Sequence, residues 1–81
     1  MKFYYVYILR SCKYPDRHYS GITENLEERL KMHNAGKCKH TIKFIPWQID
    51  VAIAFRSKGK AVDFETYLKN HSGCAFAKKH F

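Results

Sequence analysis

The stretch from Phe3 to Ser11 most narrows what this chain can become. Phe3, Tyr5, Tyr7 and Leu9 fall on one side of an extended backbone, and Tyr4, Val6 and Ile8 fall on the other. A strand that is apolar on both sides has to be covered on both sides, which places it at the centre of a small sheet. With 81 residues there is room for one modest core. The apolar run ends at Arg10 and lacks a small-residue cleavage site, so it reads as a strand rather than a secretion signal. No run is long enough for a membrane-spanning helix, and a cytoplasmic, single-domain protein is expected.

Local chemistry places the other elements. Lys13, Tyr14, Pro15 and Asp16 make a turn, and His18 to Ile22 a second strand that forms an antiparallel hairpin with the first. A helix begins near Asn25, where Asn25 and Glu28 have the spacing of a capping box, and it stops at Gly36. Lys37 to Pro46 reads as a basic connection. Gln48 to Arg56 alternates as a third strand, with Ile49, Val51, Ile53 and Phe55 on one face and small alanines, Ala52 and Ala54, under a packed helix. A second helix runs from about Lys60 to Asn70, with Ala61, Phe64, Leu68 and His71 inward, and a short last helix from Cys74 to about His80. The expected fold is α+β: a small three-stranded, mainly antiparallel sheet flanked by helices, in the order β-β-α-β-α-α.

Charge points to the partner. Fifteen Lys and Arg face seven Asp and Glu, a net charge of +8, which suits a polyanion and makes nucleic acid, with DNA foremost, the expected partner. Nothing has the form of a basic amphipathic membrane helix. Three cysteines without CxxC spacing fit reduced thiols; a zinc site from Cys38, His40, His71 and Cys74 has irregular ligand spacing.

Several residues stand out as chemistry. Arg29 and His33 are four apart on the first helix, beside the stripe of Leu26 and Leu30. Glu65 falls inside the inner stripe of the second helix, where a carboxylate needs a partner. Two readings of Glu65 stand: a buried ion pair with Arg29 or a lysine, or a metal ligand in a cleft. Each of Tyr7, Tyr19, Arg29 and His33 has an ordinary structural reading when taken alone. Together with Glu65 they supply what phosphodiester cleavage at a single metal needs. Arg29 would grip phosphate, Mg²⁺ on Glu65 would stabilise the leaving oxygen, and Tyr19 or His33 would act as base. There is no cluster of acids for a two-metal centre, and no P-loop or GxGxxG.

The same residues carry a resemblance. Tyr5-Val6-Tyr7 followed by Tyr19-Ser20-Gly21 resembles the paired motif of the GIY-YIG nuclease superfamily. Asn25 to Leu30, then His33-Asn34 and Gly36, is similar to that family's arginine-bearing helix. Phe64 to Lys69 resembles its glutamate-bearing helix, and Ser72 to Phe81 the tail of small stand-alone members. The resemblance implies a Mg²⁺- or Mn²⁺-dependent endonuclease that hydrolyses DNA. In it Tyr7 and Tyr19 are the motif tyrosines, Arg29 the phosphate-binding arginine, His33 a residue near the nucleophile, and Glu65 the metal ligand. The motifs read YVY and YSG here, and Ile22 stands where some members carry a lysine. The family's domain usually works beside a targeting domain, so the alternative is a nucleic-acid-binding module that does not cut, or cuts only with a partner.

Overall fold

The computed structural model describes residues 2–70. Three strands, β1 (Tyr4–Ser11), β2 (His18–Thr23) and β3 (Trp47–Phe55), form one antiparallel sheet in the order β2-β1-β3. Helix α1 (Leu26–Asn34) follows β2, a 3-10 turn (Ile42–Phe44) leads into β3, and α2 (Lys58–Lys69) comes last. The expected helix from Cys74 to His80, and the inward His71, lie outside the described residues. So do two members of the imagined zinc set, His71 and Cys74.

As the two-sided apolar pattern requires, β1 is the middle strand and belongs to two cores. On one face Val6 packs with Ala61 and Leu68 of α2, supported by Tyr4, Ile8, Ile22, Phe55 and Phe64. On the other, Tyr7, Leu9 and Trp47 pack with Tyr19, Leu26, Leu30, Phe44 and Ile45. Each fully buried aliphatic side chain here contributes about 1.5–3 kcal/mol relative to exposure.

Helix α1 is fixed at both ends by its own sequence. Asn25 is the N-cap, its side chain accepting from Glu28 N. Glu28 reaches back to the Asn25 side-chain amide rather than to its backbone, because Thr23 Oγ1 already accepts from Asn25 N. At the other end Gly36 has φ +75°, Gly36 N donates to His33 O, and Lys37 N donates to Met32 O, a Schellman closure. These ends set the helix so that His33 is buried and Leu26 and Leu30 face the sheet.

Three expectations are corrected. The single-face alternation of β3 is broken by an irregularity between Ile8 and Leu9: Val51 pairs with Ile8, but Ile49 pairs with Leu9, leaving Asp50 as the extra residue. Trp47 and Ile49 therefore turn to the α1 side, and Ile49 is exposed. Ala52 and Ala54, opposite Tyr7 and Tyr5, are also exposed rather than under a helix. The end of α1 is held at the start of β3, where the Asn34 amide binds both Trp47 N and Trp47 O, so the helix leaves the later alanines uncovered. Finally, Lys37 to Pro46 is more than a basic connection. It buries Thr41 completely and delivers Phe44 and Ile45 to the core.

Gly21 answers to packing, with the Tyr7 ring lying across it. A Cβ at Gly21 would meet the Tyr7 hydroxyl and come within 2.7 Å of its Cζ. Gly21→Ala is expected to lower stability by about 1–3 kcal/mol. Gly59→Ala, where the nearest contact is 3.7 Å away in the first turn of α2, should instead be neutral or gain up to about 1 kcal/mol. Urea denaturation of the two variants checks the contrast.

Candidate active site

The sheet and α1 bring four of the five expected residues to one place, and α2 brings the fifth beside them. Tyr7 from β1 and His33 from α1 are both buried, with Tyr7 Oη 3.1 Å from His33 Nε2. The other ring nitrogen, Nδ1, is 2.8 Å from Thr41 Oγ1. Tyr19 from β2 lies against the same imidazole, ring centroids 5.3 Å apart. Arg29, one turn before His33, projects a charge felt by both Tyr7 and His33, and the charge of Glu65 is felt by Tyr7.

Burial governs how these groups ionise. It pushes the Tyr7 hydroxyl up to about 12; Arg29 pulls the other way, and Tyr19, Cys38 and Glu65 add to the rise. Burial also lowers the pKa of His33, and Arg29 lowers it further. At neutral pH the pair is a neutral phenol against a neutral imidazole. His33 has both nitrogens engaged and is 1% exposed, so it reaches a substrate or water through Tyr7 rather than directly.

Glu65 is partnered by a lysine, not by Arg29. Lys69 Nζ stands 3.0 Å from Glu65 Oε2, and the Glu65 side chain is 16% exposed. Oε2 is buried and accepts no hydrogen bond: the ammonium is close enough to pair its charge but is too oblique to donate. Lys69 also lies over the Tyr19 ring, 6.0 Å from its centroid. Among the described residues, no carboxylate pairs with Arg29, and no three of His, Cys, Asp and Glu converge as a metal cage. An open cleft of about 360 Å³ adjoins the site, between the starts of α1 and α2. It shares Arg29 with the group above and is otherwise lined by residues such as Tyr4, Ile22, Glu28 and Met32, so it is a neighbour of the chemistry and not its centre.

Thr41 was not foreseen. A threonine in a basic connection carries no periodic signal, and its importance rests on a contact eight residues back along the chain.

These ionisation states bear on stability. An unfolded His33 takes up a proton near its ordinary pKa of 6.5, whereas the folded one resists. Its contribution is therefore complete above that pH and is lost as the pH falls through 6.5 toward the lower folded value. For Tyr7 the loss comes at the other end, as the pH rises from 10.0 toward about 12 and the unfolded phenol ionises first. Urea midpoints measured across pH should fall on both sides. The acid-side fall should shrink in His33→Asn, and the alkaline-side fall in Tyr7→Phe.

The sequence pattern of the GIY-YIG catalytic domain family matches residues 3–79. A UPF0213 protein of Bacillus licheniformis is 40% identical over 70 residues, which are 85% of this chain and 70% of that protein. The structure-specific endonuclease subunit SLX1 of Debaryomyces hansenii is 40% identical over 75 residues, covering 84% of this chain but 22% of its own length. The solution NMR structure of a UPF0213 protein from Bacillus halodurans superposes with a TM-score of 0.56 at 32% identity, covering 96% of this chain and 81% of that one. With the family pattern running almost end to end, and with Tyr7 and Tyr19 packed against one buried histidine, this chain belongs to the GIY-YIG catalytic domain family.

Proposed function

We propose that the protein is a metal-dependent endonuclease that hydrolyses DNA phosphodiester bonds, with Tyr7, Tyr19, Arg29, His33 and Glu65 as its working residues. The observation that carries this reading is the buried, hydrogen-bond-free Oε2 of Glu65, whose charge is felt by Tyr7 and whose partner Lys69 lies over the Tyr19 ring. Lys69 pairs the charge of this oxygen without donating a hydrogen bond to it, and a divalent cation taking the ammonium's place would bind the oxygen directly. A single carboxylate suits Mg²⁺ or Mn²⁺, which keeps several waters and takes substrate oxygens for the rest of its shell. When bound there, the ion would supply charge stabilisation for the leaving oxygen.

The chain's own groups do the remaining work. Arg29, with no carboxylate partner among the described residues, is available to grip the scissile phosphate and to stabilise charge growing on it. Tyr19 and Tyr7 line the approach beside it. The attacking water gives its proton to the Tyr7 oxygen as Tyr7 passes its own to His33 Nε2, so Tyr7 need never exist as a free phenolate. The neutral state of His33 keeps that acceptor available at neutral pH. Nucleic acid is the substrate class; the net charge of +8 and the endonuclease named among the relatives favour DNA. The cytoplasm, where the three thiols would stay reduced, is the proposed location.

A second reading is kept by one observation: the D. hansenii relative is a subunit, and this chain corresponds to 22% of it. On that reading the domain binds nucleic acid and cuts only with a partner. Labelled branched, single-stranded and duplex DNA, incubated with Mg²⁺ or Mn²⁺, separates the two. The nuclease reading expects cleavage that drops at least about 100-fold in Arg29→Ala and in Glu65→Gln, with both variants still folded. Cleavage unchanged in both would sink it, and salt-sensitive binding without metal-dependent cleavage would favour the partner-dependent module.

A further inference from the structure

We propose that Thr41 is a positioning residue that sets the direction of the Tyr7–His33 hydrogen bond, and so makes Tyr7 a proton acceptor toward substrate rather than a donor.

Protons can be counted along a closed chain of contacts. Thr41 Oγ1 lies 3.4 Å from Cys38 O and 2.8 Å from His33 Nδ1, and it is fully buried. A carbonyl only accepts, so the contact with Cys38 uses the one hydroxyl proton that Thr41 has. Oγ1 is then left as an acceptor, and His33 must carry its proton on Nδ1 to fill it. That leaves Nε2 bare. The atom facing it, 3.1 Å away, is Tyr7 Oη, which therefore donates inward. The lone pairs of the phenol are what remain to face outward.

The reverse arrangement is also complete at His33 but wastes a partner. With Thr41 donating to Nδ1, Cys38 O keeps only the Thr41 N–H, Oγ1 loses the donor it had in His33, Nε2 carries the proton, and Tyr7 becomes the acceptor of the inner bond. Its own proton would then point toward the substrate. Cys38 O accepts from Thr41 N at 3.2 Å in both arrangements, so one hydrogen bond separates them: the first also fills Thr41 Oγ1, and buried polar groups favour the arrangement that makes more bonds. The Thr41 backbone is held independently of its hydroxyl, since Trp47 Nε1 donates to Thr41 O at 2.9 Å. The hydroxyl can thus be removed without releasing the segment.

Thr41→Val tests this. Without Oγ1, a proton on Nδ1 would have no acceptor in the core, so His33 should switch to the Nε2–H tautomer and reverse the bond to Tyr7. Thr41→Ser, which keeps the oxygen, should behave as the parent. The readout is the pair of imidazole ¹⁵N shifts of His33 by NMR at neutral pH: Nδ1 protonated in the parent and in Thr41→Ser, Nε2 protonated in Thr41→Val. An Nε2–H histidine in the parent protein, or an Nδ1–H histidine persisting in Thr41→Val, overturns the proposal. The activity arm rests on the nuclease reading and expects kcat for DNA cleavage to fall about 10–100-fold in Thr41→Val, with DNA Kd unchanged and Thr41→Ser near the parent. A protein that shows the expected shifts but cuts no DNA overturns the nuclease reading and upholds the assignment of Thr41.

Discussion

Everything in this domain depends on β1 being buried on two sides at once. In a chain this short, one strand has to serve two cores. Val6 holds α2 to one face while Tyr7 and Leu9 hold α1, Trp47 and the 41–45 segment to the other. Because successive side chains of a strand point to opposite faces, the residue that builds one core is the immediate neighbour of the residue that builds the other. The site inherits its rigidity from this arrangement. Tyr7 is at once a core residue and the inner wall of the site, and it cannot shift without disturbing the strand that both cores share.

The same economy explains why the polar groups of the site are so far inside. A histidine that is 1% exposed is costly unless both ring nitrogens are served. Here they are served from two directions, by β1 through Tyr7 and by the connection before β3 through Thr41. The result is a neutral, fixed imidazole behind a neutral phenol, with the charged groups, Arg29 and Glu65, half-buried beside them.

What was legible in the sequence was what is decided locally. The two-sided pattern of β1, the turn after it, the Asn25 cap and the Gly36 stop are each written within a few residues, and the structure follows them closely. The spacing of Arg29 and His33 on one helix was likewise legible, since a helix fixes which residues are neighbours. What failed was decided between elements. The irregularity at Ile8 and Leu9 turned Ile49 away from Val51, and no pattern within β3 records it, because the cause is how two strands register. The alanines were misplaced for a similar reason: small residues fit under a helix, but they are also tolerated where no helix comes. Of the two structural partners open to Glu65, a lysine won because Lys69 is one helical turn away, whereas Arg29 lies on another element.

The clasp of Asn34 on Trp47 has a consequence of a different kind. Among the described residues β3 is an outer strand, and an outer strand offers its unpaired backbone groups to any other extended chain that drifts by. At Trp47 that offer is already taken: one side-chain amide supplies both the acceptor and the donor that a neighbouring strand would bring. Asn34 thus imitates a single residue of a fourth strand at that point of the edge. A small, aromatic-rich protein has good reason to close its margin in this way, because self-association by strand addition would begin at such an edge.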